Sequence, residues 1–237
     1  MKLMNKSTSI DFLGIENNSN VLLIYPHPDD ETYCNAGLIQ KLVRKGINLS
    51  VLCLTRGSKS TLVFSLKQGE ELADVRKDEF EQVMRFLGVI NYEILSLEDS
   101  KLIFEKQEVY KIINEQIDAL KPDYVITYEP FGLYGHPDHI LVSEIVTDLA
   151  KKLSFILIYS TVDQNYKHSK SSLKMANDPL GIKAIEPNFQ LKLTPGEYIK
   201  KLMALKLYKS QISLKKDFFH GIYKALKMLN EYYFVSK

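Results

Sequence analysis

Two short stretches of this chain gather residue types that bind metals and move protons. The first is His27-Pro28-Asp29-Asp30-Glu31, and the second is His136-Pro137-Asp138-His139. Of only 5 histidines in the chain, His27, His136 and His139 fall in these two stretches. A catalytic zinc site needs three protein ligands and one open position for water. His27 and Asp30, three residues apart, with His139 far along the chain, make such a set. Asp29 adjoins a ligand, so its carboxylate can reach the water as general base without joining the metal. His136 can present an imidazolium to a developing oxyanion, or protonate a leaving amine. Asp138 can hydrogen-bond His136 and hold its tautomer. The blander reading of Asp29-Asp30 is a helix N-terminus, where carboxylates complement the dipole. Three histidines in two proline-containing loops argue against that reading as the whole story.

The flanking elements put both stretches in one place. Val21 to Tyr25 is a short apolar run that reads as a strand buried on both faces. Thr32 to Gly46 has helical spacing, with Gly46 as its stop. Further strands are expected at 48–54, 92–97, 123–128 and 155–159, and further helices at 70–87, 103–120 and 140–153. Strands alternating with helices of this length predict right-handed crossovers and a parallel sheet covered on both faces. Ligands of such sheets bind beyond the carboxyl ends of the strands, and both histidine stretches begin there.

Residues 163–195 are polar and rich in turn signals, read as loop plus an antiparallel hairpin. Thr194-Pro195-Gly196-Glu197 reads as a capping box, and two amphipathic helices are expected after it, at 196–213 and 216–233. The expected organisation is one domain over 1–237, with a core of about 20–160, a wall or lid of about 161–195 and C-terminal helices over about 196–235.

Composition is that of an ordinary globular protein, with 45% hydrophobic and 25% charged residues. Two isolated cysteines, no signal-peptide pattern and no apolar run of membrane-spanning length lead to a cytoplasmic expectation. Charge is uneven. Residues 1–150 hold 15 basic against 23 acidic residues, whereas 151–237 hold 16 lysines, no arginine and 6 acidic residues. Solvated helix faces explain the lysines better than an anionic partner does, and the missing arginine speaks against nucleic acid. Cys34 reads as a small buried hydrophobe before a fourth ligand, and His168 and His220 as surface residues. Phe131, Tyr128 and Tyr134 flank the second stretch, either as a sugar-stacking platform or as packing.

Pro26-His27-Pro28-Asp29-Asp30-Glu31 after a strand, with Gly135-His136-Pro137-Asp138-His139 later, resembles the LmbE-like (PIG-L) family of zinc-dependent N-deacetylases. Thr55-Arg56-Gly57, Arg76 with Glu79, and Ser210-Gln211 extend the resemblance over most of residues 20–213. The resemblance implies a Rossmann-like three-layer α/β sandwich and hydrolysis of an N-acetyl group from an N-acetylglucosamine unit. It implies His27, Asp30 and His139 as metal ligands, Asp29 as base, His136 at the oxyanion with Asp138 as its partner, and Arg76 at the substrate pocket. Zn2+ is the implied metal, and the two-His, one-carboxylate set also suits Fe2+ or Co2+. The implied partner is a small amino-sugar substrate; relatives include monomers and higher assemblies, so a homo-oligomer is compatible with it. Two positions depart from the family: Tyr25 where a small residue is usual, and Tyr208 where His is common. Competing readings are an amidase on a thiol–sugar conjugate, acylated antibiotic or lipid, and a non-catalytic sugar- or nucleotide-binding protein.

Overall fold

In the computed structural model, residues 4–61, 63–163, 166, 176, 183–212 and 229–236 are described. An eight-stranded sheet runs through the molecule. Its strands are β1 (Asn5–Ser7), β2 (Asn20–Tyr25), β3 (Asn48–Thr55), β4 (Asn91–Leu97), β5 (Tyr124–Tyr128), β6 (Ile156–Thr161), β7 (Phe189–Lys192) and β8 (Asn230–Val235). The helices are α1 (Asp30–Arg44), α2 (Leu72–Leu87), α3 (Lys106–Leu120), the single turn α4 (Gly132–Gly135), α5 (Pro137–Ala150) and α6 (Pro195–Leu207).

Strand order is β1-β7-β8-β6-β5-β2-β3-β4. All pairings are parallel except those of β8, which runs antiparallel to both β6 and β7. The chain leaves β2 towards β3 on one side and returns to β5 on the other. The β2/β5 boundary is therefore the point where strand order reverses, which opens a crevice at the carboxyl edge.

Alternation along β2 divides the core in two. Val21, Leu23 and Tyr25 belong to the cluster that includes Ala36, Leu38 and Leu42 of α1, Phe80 and Val83 of α2, and Ala204 of α6. Leu22 and Ile24 belong to the opposite cluster, with Val109, Ile113 and Ile117 of α3 and Val142, Ile145 and Val146 of α5. Burial on both faces accounts for the unbroken apolar reading of the central strands.

The C-terminal part differs from the expectation of two helices. Asn230–Val235 enters the sheet as β8, where the sequence pattern predicts helix as far as 233; residues 213–228 lie outside the described ones. Asn230–Val235 is aromatic-rich, with Glu231 and Tyr233 buried on one face, which suits a strand between two neighbours. The preceding helix stops at Leu207, short of the expected 213, because Tyr208 and Ser210 turn inward to buried carboxylates. Its start is as expected: the Thr194 hydroxyl accepts from the Glu197 N–H, and the Glu197 carboxylate accepts from the Thr194 N–H. In the 161–195 stretch, β7 pairs with β8, and residues 164–165, 167–175 and 177–182 are outside the description, His168 among them, as is His220 further on. No helix among the described residues is long and apolar enough to cross a membrane.

Candidate metal centre

The first loop begins where β2 ends. The Pro26 carbonyl accepts hydrogen bonds from the Thr55 N–H at 2.9 Å and the Thr55 hydroxyl at 2.8 Å, which ties the loop to β3. Asp29 then takes a left-handed conformation with φ of 96°, and α1 starts at Asp30. A non-glycine residue there carries strain of about 1–3 kcal/mol, so its surroundings must hold it. They do so at three points. The Asp29 N–H donates to Glu31 Oε2 at 3.2 Å, the Arg76 guanidinium lies 3.4 Å from the Asp29 carboxylate, and the same guanidinium donates to the Pro28 carbonyl. Arg76 also donates to the Gly57 carbonyl at 2.8 Å and is 4% exposed. It is thus a buried brace between the two strand-end loops, in contact with Asp29.

The second loop carries its own brace. Glu129, just past β5, accepts from the N–H groups of Phe131 (3.1 Å), Leu133 (2.7 Å) and Ile185 (3.2 Å). Within this loop Leu133 has φ of 62° and Gly132 of 61°. A Cβ on Gly132 would come within 2.8 Å of the His139 Cβ, so glycine lets the loop close on that ring. His136 is the N-cap of α5, its Nδ1 accepting from the Asp138 N–H at 3.2 Å.

These loops bring His27, Asp30 and His139 together. His139 Nε2 lies 3.3 Å from His27 Nδ1, and the Asp30 carboxylate presents Oδ2 to His27 Nδ1 at 3.3 Å and Oδ1 to His139 Nε2 at 3.5 Å. Zinc–ligand bonds of about 2.0–2.1 Å in a tetrahedron put ligand atoms about 3.3–3.4 Å apart, a spacing that the two ring nitrogens of this triangle meet, while its other two edges end on different oxygens of Asp30. All three residues are buried, and among the described residues the two facing ring nitrogens meet each other and the Asp30 carboxylate. Two wider groupings overlap the triangle. His27, His136 and His139 form one, and His27, Asp99 and Asp138 the other, each with donor atoms within 4.8 Å.

The second grouping serves the far side of the His27 ring. His27 Nε2 is 3.1 Å from Asp138 Oδ2 and 3.2 Å from Asp99 Oδ1. The sequence pairs Asp138 with His136; its carboxylate instead faces His27 and accepts from the Ser100 N–H at 2.8 Å. The reason is the cap: His136 Nδ1 is already taken by the Asp138 backbone, so the side chain is free to turn to the other ring. A carboxylate behind a histidine fixes its tautomer, here with Nδ1 aimed at Asp30 and His139.

Electrostatics follow from burial. The Asp29 carboxyl is pushed up to about 8, mainly by burial, with Arg76 opposing the rise. Asp30 is held well below the usual carboxylate range: burial opposes this, but His139, His27 and the Tyr128 hydroxyl, which donates at 2.7 Å, outweigh it. Burial lowers His139 to about 4. It lowers His136 to about 3, helped by His139 and His27. His136 is therefore neutral, with Nδ1 accepting and Nε2 carrying the proton, and not the imidazolium allowed for above.

The aromatic neighbours divide. Tyr128 is buried and stacks on His139 at 4.2 Å, so it packs. Tyr134 is half-buried and edge-on to His139, while Phe131 is 47% exposed. Tyr25 lies under the edge, its hydroxyl bonded to Ser160 and Asn35. Cys34 packs against the core, and burial pushes its thiol up. Asp99 and Glu129 are site residues that the sequence pattern does not single out, and Glu31 is part of the first stretch without a role read for it. Asp99 follows β4 at the carboxyl edge, and that position is the available signal.

Residues 22–150, more than half of the chain, match the PIG-L family, described as GlcNAc-PI de-N-acetylase. The chain is 28% identical over 224 residues to "Probable N-acetyl-alpha-D-glucosaminyl L-malate deacetylase 2" of Bacillus anthracis, covering 91% of this chain and 93% of the relative. It is 27% identical over 157 residues to the "1D-myo-inositol 2-acetamido-2-deoxy-alpha-D-glucopyranoside deacetylase" of Mycobacteroides abscessus, covering 57% of this chain and 56% of that one. The fold resembles that of N,N'-diacetylchitobiose deacetylase from Pyrococcus horikoshii, with a TM-score of 0.68 at 24% identity over 96% of this chain and 89% of the other. The match over both histidine loops and the sheet that carries them places this chain in the PIG-L (LmbE-like) family of deacetylases.

Proposed function

We propose that the protein is a metal-dependent hydrolase that removes the acetyl group from an N-acetylglucosamine unit carried on a small conjugate. The observation that carries this is the buried cluster in which His27 Nδ1 and His139 Nε2 stand 3.3 Å apart, each with one Asp30 oxygen at 3.3 to 3.5 Å, with Asp29 adjoining Asp30 in the chain. Those three residues are the ligands, and Zn2+ is the ion their type and spacing fit best. The ion supplies Lewis-acid polarisation and an acidified water.

The chain's own residues do the rest. Asp29 accepts the water proton as oxygen attacks the amide carbon, then delivers it to the nitrogen as the C–N bond breaks, leaving acetate and a free amine. Arg76 keeps the Asp29 carboxylate aimed at the site. His136, neutral, donates Nε2–H to the carbonyl oxygen as it gains charge. Asp138 and Asp99 hold the His27 ring. Two of the relatives above are named as deacetylases of an N-acetylglucosaminyl malate and of an acetamido-glucopyranoside of inositol, which supports a small polar conjugate here.

The test is acetate release from a panel of N-acetylglucosaminyl conjugates, run with two variants. Asp29→Asn should keep its zinc yet lose on the order of 10²–10⁴-fold in kcat. Normal turnover in that variant would sink the base assignment. His139→Ala should lose the metal, and unchanged zinc content would remove it from the ligand set.

A further inference from the structure

We infer that Tyr208 and Glu31 form a positioning pair that holds the base Asp29 in its strained backbone conformation. The inference rests on Asp29 being the base. Glu31 is fully buried, and the reaction described above makes no use of it. Its two oxygens face opposite ways. Oε2 accepts the Asp29 N–H at 3.2 Å, and Oε1 accepts the Tyr208 hydroxyl at 2.7 Å and the Thr32 hydroxyl at 2.5 Å. A left-handed aspartate aims its carboxylate where a right-handed one would not, so the donor-acceptor contact at its N–H sets the direction of the base.

The far end of the chain supplies the clamp. Tyr208 lies 177 residues from Glu31 in sequence and is fully buried. It caps the end of α6, and the next turn is pinned by Glu79, which accepts from the Ser210 N–H at 2.8 Å and the Ser210 hydroxyl at 2.7 Å. Glu79 stands one helical turn after Arg76 on α2, and Arg76 braces the Asp29 carboxylate. Asp29 is therefore gripped twice from the same helix. Arg76 holds its carboxylate directly, and Glu79 holds its N–H through Ser210, Tyr208 and Glu31. Both sequence features, Arg76 with Glu79 and Tyr208 with Ser210-Gln211, serve one residue on this view. Tyr208, a departure from the family, becomes the donor that keeps Glu31 in place.

The experiment measures kcat, KM, metal content and thermal midpoint for Tyr208→Phe, Glu31→Gln and Glu31→Leu, using the conjugate the wild type deacetylates fastest. Tyr208→Phe keeps the ring and removes the donor. It should lower kcat about tenfold, the equivalent of one lost hydrogen bond, with KM and zinc content unchanged. Glu31→Gln keeps an acceptor for Asp29 and should lose clearly less kcat than Glu31→Leu. Added to Asp29→Asn, the Tyr208→Phe change should lower the residual rate no further, because the group it positions is gone. An unchanged kcat in Tyr208→Phe, or equal losses in the two Glu31 variants, overturns the inference. So does a full further tenfold loss in the double variant Asp29→Asn, Tyr208→Phe, which would mark a general structural role. Failure of the base assignment reads differently: Asp29→Asn itself would then turn over normally.

Discussion

Gly132 shows how little room the His139 ring has. Its φ is positive, and an added Cβ would sit 2.8 Å from the Cβ of His139. Gly132→Ala should cost roughly 1–3 kcal/mol in stability and lower zinc occupancy, since the collision falls on a proposed ligand. Wild-type zinc content in that variant would show that the loop can yield without moving His139. The proposed ligands are legible in the sequence because their types are rare and their neighbours are prolines: 5 histidines in the chain make three in two loops conspicuous. Asp99, Glu129 and the role of Glu31 are not. Each is an acidic residue in or beside a turn, indistinguishable in sequence from the other acidic residues of a chain with 29. Only the fold reveals that Asp99 meets His27, 72 positions away in the chain, and that Glu129 gathers three N–H groups. Asp138 reads in sequence as serving its neighbour, His136. Backbone capping already satisfies that ring, and a nearer claim comes from the other loop.

Helix α6 and helix α1 are joined by charge. Glu197 is 3% exposed and accepts from Lys41 at 2.8 and 2.7 Å, from Arg44 at 2.7 Å and from the Thr194 N–H at 2.9 Å. Burial alone would raise its pKa, but Lys41, the Thr194 N–H and Arg44 outweigh it and hold the carboxyl down to about 2. A folded value below the ordinary 4.5 means stability that is fully present above pH 4.5 and is lost as pH falls towards 2. Glu197→Gln should therefore cost on the order of 2–3 kcal/mol at neutral pH and flatten the acid limb of the stability curve. Denaturant unfolding at pH 7, 4.5 and 2.5 measures it; parallel losses of wild type and variant below pH 4.5 would refute the assignment. The central strands are readable because β2, β3, β5 and β6 are buried on both faces and read as apolar runs. The three strands on the far side of β6 are not. β1 and β7 have 3 and 4 residues, too few to show a period. β8 passes for helix in sequence because Asn230–Val235 sits behind a stretch of helical spacing and carries a glutamate on its buried face.

That glutamate binds the sheet to helix α1, which begins at Asp30. Glu231 accepts from the Gly37 and Leu38 N–H groups of α1 at 2.7 and 2.8 Å, from Lys201 at 2.7 Å and from Tyr233 at 2.9 Å. Lys201 and Glu231 are each about 1% exposed at the side chain. Glu231→Leu would leave the Lys201 ammonium buried without its partner, a loss of about 3–5 kcal/mol that should appear as a fall of roughly 10 °C in thermal midpoint. A midpoint within about 2 °C of wild type would show that the pair is dispensable. The proposed metal would add to the same balance: a chelator should lower the stability of the wild type by up to about 4 kcal/mol when free zinc had stood at roughly a thousand times its dissociation constant, seen as a lower midpoint, and should leave His139→Ala unmoved. The place of Glu231 in the chain has a consequence for how the protein is made. Until residue 231 clears the ribosome, α1 lacks its carboxylate anchor and Lys201 has no counter-charge. A growing chain that has already translated both histidine loops still lacks this contact, so the anchoring of α1 to the sheet by Glu231 comes late in synthesis.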